Sequence, residues 1–307
     1  MSVIAFDLPS DVAAVRDALE VFVRREILPR AERHAGLIDD PRRRYAADGR
    51  YSDEVYALIR EVRMASSAAG FFNMCVPQSI GGAGMGHLAY FVAWQAVYHT
   101  CGRHNFLAPY VIGHWAFAAS PVLEHVTAVT RERVLPGLLS GERSMCFGLS
   151  EPGAGSDASM IKTRAVPAGE GWRITGRKLW TSNSPHADYC ILFAVTDPDR
   201  AARHQGGISA FLVATDTPGF KLESVVKLYG HPGGDEGALV LENVHVTADQ
   251  LVGRLHEGFG TALLGVSLGR IYNAARAVAL GRWALELAFA MPSSGKPSGM
   301  PSPNIRA

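Results

Sequence analysis

A chain of 307 residues, 48% of them hydrophobic, exceeds the usual single-domain size and can bury a sizeable core. Thirty basic residues against 29 acidic ones leave a formal charge of +1, which gives no electrostatic footprint for nucleic acid or an anionic membrane. The four cysteines, Cys75, Cys101, Cys146 and Cys190, form no C-x-x-C pair, which argues against a disulfide framework or zinc knuckle and for buried thiols of a reducing compartment.

The opening MSVIAFDLPSDVAAV lacks the basic start and long apolar core of a secretory signal, and no apolar run reaches membrane-spanning length. The expectation is a cytoplasmic protein. From Ser10, the residues Val12, Val15, Leu19, Phe22, Val23 and Ile27 recur at helical spacing and predict an amphipathic helix. DDPRRRYAADGR reads as a charged, solvated connector, although its triple arginine could meet phosphate. A second helix starts at Ser52 as N-cap, with Asp53 and Glu54 in its first turn.

VPQSIGGAGMG predicts a tight turn; no strand precedes it and the G-x-G-x-x-G spacing is absent, so a dinucleotide fingerprint is rejected. Helical pattern resumes from about His87 to Tyr98, again through Phe106 to Ala119, and in RERVLPGLLSGE, where Gly141 is a C-terminal stop. After Glu142 the segments WRITGRKLWTS, DYCILFAVTD, GISAFLVATD, FKLESVVKLYG and ALVLENVHV are short, rich in β-branched and aromatic residues, and divided by turn residues. They predict an antiparallel β domain from about 143 to 250. A long Ala- and Leu-rich helix follows to Ala290, and the proline-containing tail MPSSGKPSGMPSPNIRA cannot continue it.

The stretch CFGLSEPGAGSD invites a functional reading. Ser150, Gly153, Gly155 and Ser156 offer backbone N–H groups free of bulky side chains together with two hydroxyls, so the loop can approach a flat polar ring or a phosphate; a plain inter-domain turn is the other reading. GLSEPGAGSD, followed by IKTRAV, GWRITGRKLWTSN and LYGHPGGDEGALVLENVHVTADQLVG, resembles the acyl-CoA dehydrogenase family in order, spacing and residue type from about Pro9 to Ala290.

The resemblance implies an α+β multidomain chain. Its parts are an α-helical N-terminal domain (1–142), an antiparallel, barrel-like middle domain carrying flavin motifs (143–255), the first helix of a truncated C-terminal bundle (256–290) and a disordered tail (291–307). It implies FAD as cofactor, acyl-CoA as substrate in fatty acid metabolism, an electron-transfer flavoprotein as acceptor, and a homo-oligomer. Phe147, Leu149, Ser150, Glu151, Gly153, Gly155 and Ser156 then belong to the flavin loop, with Phe147, Leu149 and Ser150 on the ring and Ser156 also at the thioester ligand. Trp180 packs on the isoalloxazine, and Thr181 and Ser182 reach its N5 edge. Two positions depart from the family pattern: Met160 stands where a very small residue is usual, and WQAVYH, Trp94 to His99, replaces an often acidic segment.

The desaturation needs a base for the proton alpha to the thioester. In a minority of the family that carboxylate comes from the helix containing SLGRIYN, where the matching position is Gly269; in the rest it comes from further along the bundle. No catalytic base is identified, and Arg270 matches a family arginine at the substrate. Glu286 and the eleven histidines read as structural, with no metal-ligand spacing. Back-translation from the third base of the Met291 codon permits an R-x-x-F-G segment of the family's next stretch, so a frameshift near Ala290 is the expectation. Three readings stand: an acyl-CoA dehydrogenase, a catalytically dead chain that binds FAD weakly or not at all, and a flavin oxidase or monooxygenase of the same fold.

Overall fold

The computed structural model describes residues 7–230 and 232–290; the tail, with the disorder and frameshift expected of it, lies outside the described residues. The first amphipathic segment forms α1 (Ser10–Phe22), which runs through a π-helical turn at Val23–Ile27 into a helical stretch at Leu28–Arg33. The turn sits just ahead of Pro29, whose missing N–H interrupts the regular ladder. Ser52 caps α2 (Asp53–Ala68), its Oγ accepting from Val55 N at 3.5 Å. The connector is not wholly loop: Pro41–Arg44 forms a single helical turn, with the Asp40 carboxylate accepting from Arg42 N at 3.0 Å. Arg44, one of the triple arginines, stacks 5.1 Å from the Phe106 ring and donates to Ile38 O, so it serves the fold.

Gly82 makes the expected tight turn possible, because any side chain there would collide with the Val76 carbonyl. Beyond it, α3 (Gly86–Cys101) buries Tyr90, Trp94, Val97 and Tyr98. The helix expected over Phe106 to Ala119 does not form: a 3₁₀ segment at Asn105–Tyr110 contains Pro109, and the chain then turns irregularly, Gly113 N donating to Phe72 O at 2.8 Å. Next comes α4 (Ala128–Ser140), which stops at Gly141 in a left-handed conformation, φ 75°.

Eight strands follow among the described residues: β1 (Met145–Gly148), β2 (Arg164–Ala168), β3 (Gly171–Ser182), β4 (Tyr189–Val195), β5 (Ile208–Ala214), β6 (Phe220–Val225), β7 (Glu236–Thr247) and β8 (Leu251–Val252). They pair in the order β6-β7-β3-β2-β4-β5-β8, with β1 beside β4. The sheet is mainly antiparallel, but β1 joins β4 in parallel over its whole length, and β2 touches β4 in parallel at Arg164 and Val195. The expected antiparallel sheet thus also carries these two parallel contacts. β4 is buried at every residue, as a strand covered on both faces must be. One face packs Met145, Ile191, Phe193 and Leu212 against Val134 and Leu138 of α4; the other gathers Cys146, Cys190, Leu192, Phe211 and Leu239.

The last element, α5 (Gly258–Ala290), buries Thr261, Ala262, Gly265, Leu268, Gly269, Tyr272, Ala275 and Ala279 along one stripe. Most of these residues are small, so the helix approaches its neighbours closely. Leu268, Tyr272, Ala275 and Ala279 join the core of α1, α2 and α3, whereas Ala262 joins the core of the sheet. Thus α5 ties the helical layer to the β domain and brings its first half near Phe147 of β1.

Candidate functional site

The glycine loop is held from within by one buried ion pair. Lys178 Nζ on β3 donates to Glu151 Oε1 at 2.8 Å and to Leu149 O at 3.1 Å, and its side chain is fully buried. The Glu151 carboxylate also accepts from Lys162 N at 2.6 Å and Thr163 N at 3.0 Å. Burial pushes the Glu151 carboxyl up, but Lys178 and these hydrogen bonds more than offset it, so the group lies below the ordinary carboxylate range. Burial draws the Lys178 ammonium down, against the pull of Glu151. Glu151 is therefore a strut of the loop; its oxygens face Lys178 of β3 and the backbone that leads into β2.

Other members of the motif face outward. Glu151 and Ala154 exchange backbone hydrogen bonds at 3.0 and 3.1 Å, folding the loop into a small hoop. Gly153 and Gly155 are exposed on it, and a Cβ at either would meet nothing within 4 Å. Neither glycine has a positive φ, so nothing in the chain itself requires glycine there. Ser156 is exposed as well, Leu149 is buried, and Phe147 and Ser150 are half-buried.

A bond from Leu179 N to Ser150 O, 3.0 Å, joins this loop to β3 at the residue before Trp180. There β3 carries a bulge: Lys178 pairs with Leu239 and Thr181 with Gly237, so β3 has one residue more than β7. Trp180 takes up the extra length in a left-handed conformation, φ 61°, and its indole stands 50% exposed instead of entering the β core. A large aromatic held outward on strained backbone is costly unless something covers it. Thr181 is buried with its hydroxyl lacking a partner, as is the hydroxyl of Ser184. Unpaired buried hydroxyls call for a ligand or a water. Ser182 donates to Glu236 Oε1 at 2.7 Å. Burial raises the Glu236 carboxyl to about 7, with Asp235 adding to the rise against the Ser182 bond.

On the helical side, Trp115 was not legible as a site residue, since GHWAF has no motif around it. Its indole packs edge-on against Phe147, ring centres 4.9 Å apart. A Cβ on Gly265 would lie 2.8 Å from the Trp115 ring and 3.4 Å from Phe147, and one on Gly269 would lie 2.7 Å from Trp115 Nε1. Trp115 thus fills the space between Phe147 of β1 and α5. On its other side Trp115 lines a cleft of about 440 Å³ with Tyr90, His87, Gln78, Ser120 and Leu268. Arg270, next to Gly269, is exposed. Met160 is 51% exposed, and Glu286 is bonded to His99 and Arg282, both at 2.8 Å. Among the described residues, no three His, Cys, Asp or Glu side chains cluster as metal ligands, and no helix is long and apolar enough to cross a membrane.

Phe147, Ser150, the bare glycines and the outward Trp180 thus lie on β1, the loop after it and the strand bonded to that loop. Residues 9–142 match the acyl-CoA dehydrogenase N-terminal domain, and residues 146–244 match the acyl-CoA dehydrogenase middle domain. The chain belongs to the acyl-CoA dehydrogenase family. It is 30% identical to a probable acyl-CoA dehydrogenase, YngJ of Bacillus subtilis, over 98% of this chain and 73% of that protein. It is 29% identical to the caffeyl-CoA reductase-Etf complex subunit CarC of Acetobacterium woodii, over 72% of this chain and 56% of CarC. The solved structure of butyryl-CoA dehydrogenase from Megasphaera elsdenii superposes with a TM-score of 0.73 at 26% identity, covering 97% of this chain and 73% of that one. Acyl-CoA dehydrogenases are FAD-dependent oxidoreductases.

Proposed function

We propose that this chain binds FAD at the rim formed by Phe147, Ser150, Gly153, Gly155, Trp180 and Ser182, and serves the α,β-desaturation of an acyl-CoA thioester. The observation that carries the reading is the bulge that turns Trp180 outward beside Ser150. The indole presents apolar area to a flavin ring and excludes water from it. The Ser150 hydroxyl and the N–H groups of Gly153 and Gly155 supply donors toward the ligand's polar edge. Bound there, FAD supplies the acceptor for hydride from the substrate's β carbon. An electron-transfer flavoprotein is the proposed acceptor of the electrons, in keeping with the Etf complex named for CarC.

The base must come from elsewhere than Gly269. That position has no side chain, and Trp115 occupies the space a carboxylate there would need. The same contact favours a second reading, a chain that binds FAD but does not desaturate by itself. Anaerobic addition of a mixture of acyl-CoA thioesters to the FAD-loaded protein separates the two. Bleaching of the flavin band supports desaturation. A yellow protein that does not bleach supports the second reading, and a folded protein that takes up no FAD rejects both.

A further inference from the structure

Ser182 of the rim motif, with Glu236 opposite it, points to a device outside the family expectations. Ser182 ends β3 and Glu236 begins β7, directly opposite each other in the antiparallel register, with Ser182 Oγ and Glu236 Oε1 2.7 Å apart. The strands are pinned beside the pair: any side chain at Gly237 would collide with the Ser184 hydroxyl, and Val226 N donates to Glu236 O at 2.7 Å. Glu236 is therefore held against Ser182 by backbone on both sides.

We infer that Glu236 is a positioning residue for Ser182, its protonation deciding whether the serine hydrogen is spent inward on Glu236 or offered to the flavin. This rests on the FAD reading proposed above. A serine hydroxyl has one hydrogen and two lone pairs. An ionised Glu236 can only accept, so Ser182 must donate inward and presents only lone pairs outward. A neutral Glu236 can itself donate to a Ser182 lone pair, which frees the serine hydrogen for a ligand acceptor.

Both forms are populated near neutrality, because burial raises Glu236 to about 7. Among the described residues the charge acting on it is that of Asp235, which raises it further, and the opposing influence is the Ser182 hydroxyl on β3. Just past β6, Val226 N bonds the Glu236 main-chain carbonyl rather than its carboxyl. Across the lead-in to β7, where Gly234 N bonds Gly49 O at 2.9 Å, Tyr51 and Tyr110 feel the charge of Asp235; burial raises both far above neutrality, so they do not titrate with Glu236, and His186 against Tyr51 is drawn by burial down to about 4, beside Arg50 and Asp48.

The test is FAD titration of the purified chain from about pH 5.5 to about pH 8.5, read by flavin fluorescence quenching and the shape of the bound visible band. In the parent, affinity should fall about 3- to 10-fold as pH rises through the window, the worth of one net hydrogen bond. Glu236→Gln should hold the tight, low-pH value throughout, since its amide still donates to Ser182 and carries no charge. Ser182→Ala should be weaker and pH-independent. Asp235→Asn should shift the midpoint to lower pH, and melting curves confirm that each variant is folded. A Glu236→Gln protein that keeps the parent's pH dependence, or a parent whose affinity does not change with pH, overturns the inference while leaving the FAD reading intact. A folded parent that binds no FAD at any pH overturns both.

Discussion

The indole nitrogen of Trp115 lies 2.7 Å from where a Cβ on Gly269 would stand, so the α5 position where a minority of the family would place its base is closed by an aromatic ring. Gly269→Ala therefore forces the ring or α5 to move. Overpacking of this kind costs about 1–3 kcal/mol. In a Trp115→Ala background the same substitution should cost less than about 1 kcal/mol, because the clashing partner is gone. A double-mutant cycle by urea denaturation checks this coupling; equal costs in the two backgrounds would show that Trp115 does not enforce the glycine.

Gly153 and Gly155 separate folding from binding. With open space around both Cβ positions and no left-handed backbone, Gly153→Val and Gly155→Val should leave the melting temperature nearly unchanged. Their branched side chains would stand on the exposed hoop where the flavin is proposed to approach. FAD affinity should fall at least about 10-fold, on the order of 1.4 kcal/mol. Flavin fluorescence titration and a thermal melt on the same samples decide it.

The Lys178–Glu151 pair is destructive to break from one side. Lys178→Met leaves a buried carboxylate without its cation, which costs about 3–5 kcal/mol. Adding Glu151→Gln should recover part of this, since the neutral amide oxygen can still accept from Lys162 N or Thr163 N. Guanidinium unfolding of the single and double variants measures the recovery. FAD affinity should fall with the single change too, as the loop loses its anchor.

His114 makes the fold acid-sensitive. Burial, with help from the nearby positive charge of Arg276, lowers it to about 3, so the imidazole is neutral in the folded chain. It packs 4.3 Å from Phe117 and 4.5 Å from Tyr272, ring centre to ring centre. The unfolded chain protonates near pH 6.5, so it binds more protons below that value, and stability is full above about pH 6.5 and declines as pH falls toward 3. The decline from this one group approaches about 1.4 kcal/mol per pH unit. His114→Asn should flatten the difference between unfolding at about pH 7 and about pH 5 by a corresponding amount. An unchanged difference would mean His114 is already charged in the fold.

Much of the site's composition can be read along the chain. The Ser52 cap, the Gly141 stop and the turn at Gly82 follow from short-range chemistry, and each forms as its residue type dictates. The sequence from Phe106 to Ala119 misleads because its apolar spacing looks helical, yet Pro109 and the backbone bond from Gly113 to Phe72 win locally. The pairing of Glu151 with Lys178, twenty-seven residues on, is not legible along the chain either, because it forms only inside the fold.

The sequence by itself determined the order of helical and β segments, the two motifs of the rim and the absence of a side chain at position 269, because these depend on residue type and local spacing. Tertiary structure alone decided that Trp180 stands outward on a bulge, that Trp115 fills the gap beside Gly265 and Gly269, and that Ser182 meets Glu236 across β3 and β7. Strand register and close helix approach are set by groups far apart in the chain, and no periodicity within one segment carries that information.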